Sequence, residues 1–175
     1  MRATFCVAGF AVFLASAFAE TKAPASSLAI FFRFESSYSD IALQEMKREL
    51  GPLMERSGYR LDWRNRDEKI SPDSFDDLVV IDFRGRCLME AAGSLHDRGG
   101  PLGWTHVANG AVLPFSAVEC DRVRAVLHSA SDLVLGRAMA RVLAHELYHV
   151  LAQTVTHQKV GITKPSLSRA DLVSE

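Results

Sequence analysis

The stretch "HELYHVLAQTVTH", residues 145–157, decides how this chain is read. On an α-helix, positions four apart lie on one face, one turn above the other. His145 and His149 can therefore turn a ring nitrogen each toward one ion, at Zn–N distances of about 2.0–2.1 Å. Glu146 lies about 100° round the helix, beside such an ion rather than on it. From there it can accept a proton from water that zinc acidifies and pass it to a leaving amine. The surrounding "RAMARVLAHELYHVLA" has no Pro or Gly and is apolar enough for two unpaired histidines to cost desolvation. A pair of structural histidines with a surface Glu is the bland alternative.

The third ligand is read from chain geometry. A histidine eight residues beyond His149 on a straight helix lies about 12 Å away, too far to share an ion. His157 can ligate only if the helix ends near Gln153 or Thr154. The run "TVT" (154–156) allows this, because β-branched and polar residues continue helices poorly and Thr can bond free carbonyls. Asp171 and Glu175 are the carboxylate competitors, Asp171 on a short helix that Ser166 can cap. Other histidines have no ligand spacing: His96 lies in a Gly-rich loop, His128 precedes the long helix, and His106 sits on a strand. Tyr148 projects away from the ligand face and reads as packing.

Upstream of the motif the pattern is strand, helix, strand, strand, hairpin. Leu28–Phe34 ("LAIFFRF") is a β-branched and aromatic run expected as a buried strand. Ser39 can cap a helix carrying Leu43, Met46, Leu50 and Leu53 at helical spacing, with Gly51-Pro52 expected to kink or restart it and Gly58 to end it. "YRLDWRNR" alternates as a strand, and Leu78–Phe83 is a third, running into Cys87. "EAAGSLHDRGGPLG" reads as a surface loop. "WTHVANGAVLPF" folds around Asn109-Gly110 as a hairpin, and Pro114, lacking an N–H, predicts an edge position for its arm. A helix from Asp132 to about Gln153 follows. The expected class is α+β: a mixed twisted sheet with a helix after strand 1 and a long C-terminal helix carrying the site.

The N-terminus, "MRATFCVAGFAVFLASAFAE", has the form of a secretory signal peptide: Arg2, an apolar run, and Ala17-Phe18-Ala19 before Glu20. Cleavage after Ala19 takes 175 residues to 156, one domain's worth (28–175) behind a disordered leader (20–27). The mature chain is then expected in a secreted or periplasmic location. No later segment approaches the ~20 apolar residues of a span, so no membrane association is expected after cleavage. Without Arg2, 19 basic residues face 21 acidic ones, and no basic run gives a case for nucleic acid. Cys6 leaves with the signal peptide, so Cys87 and Cys120 remain as an even pair, expected as a disulfide closing a long loop.

With "HELYH" on a late helix, the chain resembles the zincin metallopeptidases. A third histidine shortly after makes it most similar to the metzincins, whose motif is H-E-x-x-H-x-x-G-x-x-H. The resemblance implies one catalytic zinc, His145 and His149 as ligands, Glu146 as general base, and a peptide or protein substrate. It also implies a sheet whose edge strand receives the substrate, for which "WTHVANGAVLPF" is the candidate. The chain departs from the pattern in carrying Ala152 for the Gly and Val155 for the third His, with His157 two residues later and no Met after it. A gluzincin-type site, with a later carboxylate as third ligand, keeps Asp171 in play. The different-class alternative is a zinc-binding structural or peptide-binding protein without turnover, and a third is metal-dependent hydrolysis of a non-peptide amide.

Overall fold

A continuous apolar run suits a strand flanked on both sides and covered on both faces, and "SSLAIFFRF" is one. In the computed structural model, which describes residues 25–67, 74–89 and 99–174, it forms β1 (Ser26–Phe34), with Leu28, Ala29 and Ile30 wholly buried. The strand starts two residues before the expected Leu28, because Ser26 and Ser27 pair with Tyr59 and Arg60. The signal peptide, most of the leader, His96 in its loop and Glu175 lie outside the described residues.

After β1 come α1 (Asp40–Arg56), β2 (Tyr59–Asn65), β3 (Asp77–Arg84), β4 (Gly103–Ala108) and β5 (Ala111–Glu119). Then follow α2 (Cys120–Leu127), α3 (Asp132–Leu151) and the short α4 (Arg169–Val173). The strand order is β2-β1-β3-β5-β4, with all pairings parallel except the antiparallel β4–β5 hairpin. The class is thus α+β on a five-stranded mixed sheet. Helix α1 packs on β2, α3 on β4 and β5, and the two helices pack on each other.

The Ser39 hydroxyl caps α1 as expected, accepting from the Ala42 N–H. The Gly51-Pro52 break does not occur: α1 runs through Pro52 to Arg56. Leu50 and Met54, one on each side of the proline, are buried in the core, and that burial holds the helix together across it. Pro114 also departs from expectation. Its arm, β5, is interior, and β4 is the edge. The ladder tolerates the proline because pairing with β3 begins only at Phe115, and the β4–β5 register shifts between Thr105 and Val107, opposite it. The helix α2 was not anticipated.

Two close approaches fix α3. At Gly136 a Cβ would lie 2.4 Å from the Ala42 carbonyl oxygen, so only glycine lets α3 come this near α1. Midway along the helix, Arg141 holds the C-terminal turn, donating to the Asp171 carbonyl (2.7 Å), the Ser174 hydroxyl (2.8 Å) and the Ser174 carbonyl, and pairing with Glu49.

Cys87 and Cys120 form the expected disulfide. Cys87 also bonds backbone-to-backbone with Ser37 and Ser39 at the head of α1, while Cys120 opens α2. The bond closes a loop spanning 33 residues that contains the whole β4–β5 hairpin. It fits an extracellular or periplasmic protein. Among the described residues no helix is long and apolar enough to cross a membrane. In the chain-entropy relation such a loop contributes about 3–4 kcal/mol. Urea unfolding of the 20–175 chain should accordingly show the doubly substituted Cys87→Ser/Cys120→Ser protein weaker by about that amount. An unchanged midpoint would mean the bond adds strain equal to the entropy it removes.

Candidate metal centre

Helix α3 is capped by the Ser131 hydroxyl and buries most of its length, Leu135 to Val150, against α1 and the sheet. His145 and His149 fall on its last turns, 9% and 8% exposed. The helix then stops. Leu151 is its last residue, and Gln153 takes a left-handed backbone (φ 48°), a conformation more usual for glycine at a helix end. The Thr154 N–H bonds back to the His149 carbonyl. The break required for His157 is therefore present, one residue beyond the Ala152 that replaces the motif's Gly.

The chain folds back and closes a triangle of imidazoles. Ring centroids are 4.8 Å apart for His145–His149, 5.1 Å for His145–His157 and 4.8 Å for His149–His157. One ligand atom from each lies within 4.8 Å of the others. The returning segment also orients the rings. The His149 Nδ1–H donates to the Thr154 carbonyl and the His145 Nδ1–H to the Ile162 carbonyl, both at 2.7 Å. Carbonyls only accept, so each ring carries a proton on Nδ1, and in the neutral form a ligand takes, it presents a bare Nε2.

Those two Nε2 atoms are 3.1 Å apart. Bare nitrogens at that distance repel unless a cation lies between them. Tetrahedral ligands at about 2.0–2.1 Å from one ion stand about 3.3 Å apart. A shared proton would satisfy two rings and leave the third without a reason to converge. The donor set therefore fits a metal ion held by His145, His149 and His157, and three histidines are characteristic of open zinc sites. Burial holds His145 below the ordinary histidine range, reinforced by its neighbouring imidazoles and opposed by its bond to Ile162. That favours the neutral form a ligand needs.

Asp171 is engaged elsewhere. Its carboxylate accepts from the Ser168 N–H and hydroxyl as the capping box of α4, and pairs with Lys164 at 2.6 Å. Lys164 and Ser168 hold it well below the usual carboxylate range. The cap of α4 is thus Ser168, not Ser166. Among the described residues the ligand group consists of the three histidines alone.

Glu146 is 4% exposed and stands outside this group. Burial pushes its carboxyl up to about 7, against the pull of the Thr105 hydroxyl, which donates to Oε2 at 2.7 Å. Thr105 lies on edge strand β4, so the hairpin does border the site. A cavity of about 290 Å³ is lined by Trp104, Thr105, Glu146, His149 and His157. A second, of about 460 Å³, lies between Leu102, Val126, Val142 and Leu167, with His145 and Glu146 on its wall. His106 instead packs edge-on to Trp104 and Phe115, away from the three ligands. Tyr148 faces the opposite cavity with Leu53 and Tyr59. Thr105 and the Ile162 carbonyl were not legible in the sequence, because neither carries a motif. Comparison with protein-family models and with curated proteins gives no match.

The ligand assignment has a direct check. With zinc competed against a chromophoric chelator, His157→Ala should weaken binding by more than the ~10–100-fold typical of losing an outer-shell partner. Asp171→Ala should cost at most about tenfold. Unchanged affinity in His157→Ala would remove it from the ligand set.

Proposed function

We propose that this chain is an exported zinc-dependent metallopeptidase of the zincin type, metzincin-like, that hydrolyses peptide bonds. The observation that carries the reading is the division of labour at the α3 terminus. Three histidines converge, while the buried Glu146 between the first two stays out of the ligand group and is held at the edge strand. A purely structural zinc site usually closes its fourth position with a protein ligand, and among the described residues the ligand group stops at three.

When bound, zinc supplies Lewis acidity toward a carbonyl oxygen and toward water. The residues of the chain do the rest. As an edge strand of the described sheet, β4 takes an extended peptide as a further strand, which brings its scissile carbonyl past His145 and His149. Glu146 takes the proton of the attacking water and passes it to the leaving nitrogen, while the Thr105 hydroxyl holds its Oε2. The cavity behind Gly103, walled by Leu102, Val126, Val142 and Leu167 with Lys164 and Ser166 also on its lining, receives a substrate side chain.

The test is a quenched-fluorescence library of mixed peptides, incubated with zinc-loaded 20–175 protein. Cleavage should be lost on chelation and fall by roughly 10²–10⁴-fold in Glu146→Gln, with zinc content unchanged. Zinc binding without cleavage by either protein would instead favour a binding protein of the same fold, and equal cleavage by both would remove Glu146 from the mechanism.

A further inference from the structure

Among the described residues Glu146 is the one carboxylate buried beside the three histidines, and what holds it comes from the neighbouring strands. Residues 103 and 105 of β4 point to the same face, since strand side chains alternate. That face meets α3. At Thr105 the hydroxyl donates to Glu146 Oε2 at 2.7 Å, with a longer 3.4 Å approach to the Glu146 carbonyl. Directly across the ladder is Ser116, 4% exposed, with its hydroxyl 2.8 Å from the Thr105 oxygen. Thr105 has a single proton and spends it on the carboxylate, so Ser116 must be the donor to Thr105. At Gly103 a Cβ would lie 2.8 Å from Glu146 Oε1, 2.8 Å from Val142 Cγ1 and 2.9 Å from the Ala117 carbonyl oxygen. The other carboxylate oxygen therefore occupies the space that any side chain at 103 would take.

We propose that Thr105, oriented by Ser116, and Gly103 are positioning residues for Glu146: they pin Oε2 and leave Oε1, seated over the bare Cα of Gly103, as the oxygen that exchanges protons. The functional half of this rests on the hydrolytic reading above; the geometric half does not. Neither residue touches a ligand histidine through a hydrogen bond, so the metal site should survive their loss. A pinned carboxylate keeps one oxygen aimed at the cleft, whereas a free one samples several rotamers, and small misplacements of a proton-transfer group are costly.

The experiment compares Thr105→Val, Thr105→Ser and Ser116→Ala in the 20–175 chain. Three-bond carbon couplings about the Glu146 side chain, measured without metal, should report one rotamer in the parent and in Thr105→Ser, and averaging in Thr105→Val. With zinc and the mixed peptide library, Thr105→Val should lose roughly 10–100-fold in kcat at nearly constant KM and zinc content, and Thr105→Ser should recover most of it. Ser116→Ala, which leaves the edge strand intact, should give a smaller loss in the same direction and serves if Thr105→Val fails to fold. Unaveraged couplings in Thr105→Val overturn the pinning. Averaged couplings with unchanged kcat overturn its role in turnover. A parent that cuts nothing removes the hydrolytic reading and leaves the couplings to decide the clamp.

Discussion

The candidate centre depends on α3 ending at Leu151. If the helix continued two more turns, His157 would be carried about 12 Å from His149 and the three imidazoles could not converge. The stop has a definite cause. Gln153 adopts a left-handed backbone and Thr154 bonds back to the His149 carbonyl, so the chain reverses within three residues of the helix end. The same reversal brings the Thr154 carbonyl onto the His149 Nδ1–H, and the returning chain brings the Ile162 carbonyl onto His145. One turn thus supplies a third imidazole and fixes the tautomers of the first two.

The helix itself is positioned by backbone proximity and burial. Gly136 sets α3 against α1, and Gly103 sets it against β4, so the two glycines define how closely the helix lies between its neighbours. Side-chain volume elsewhere in the core follows: Leu135, Met139, Leu143 and Leu147, all wholly buried, fill the helix's inward face at helical spacing. Into this apolar setting the sequence places His145, Glu146 and His149. Groups of that kind are tolerated in the interior only with partners. Each has one, from the returning C-terminal segment or from β4, so the polar groups of the site are distributed between two elements that the helix alone could not bring together.

This explains what could be read along the chain. The ligand pair, its glutamate, the capped helix α1, the hairpin at Asn109-Gly110 and the cysteine pair are all local patterns or simple counts. The failures are of two kinds. Pro52 and Pro114 are local signals overridden by context: core burial on both sides of Pro52, and a register shift opposite Pro114. Thr105, Ser116, Gly103 and Ile162 are the reverse, residues with no local signature whose roles exist only through register and packing. The parallel pairing of β3 with β5 puts the hairpin beside the site, and no spacing in the sequence encodes that. For His157 the sequence showed what was needed, a helix break, and the structure supplies it.

The loop bearing His157 has an energetic peculiarity. Between Val150 and Leu172 no apolar side chain is fully buried; Ile162 and Leu167 are partly covered, while Val155 and Val160 are 61% and 78% exposed. Ordering a backbone residue costs about 1–2 kcal/mol, and this segment recovers little of that by burying hydrocarbon. Its order rests on polar contacts: the two carbonyl–imidazole bonds, the Gln158–Thr163 backbone bond, the Lys164–Asp171 pair, and Arg141 gripping the chain end. Most of these are anchored on α3. A ligand that joins His157 to His145 and His149 adds a cross-link between this segment and the last turns of α3. Metal affinity and the order of this segment are therefore one linked quantity. Weakening Arg141 acts on the centre from a distance, by raising the cost of holding the returning segment in place, whereas losing the Ile162 contact acts on His145 directly.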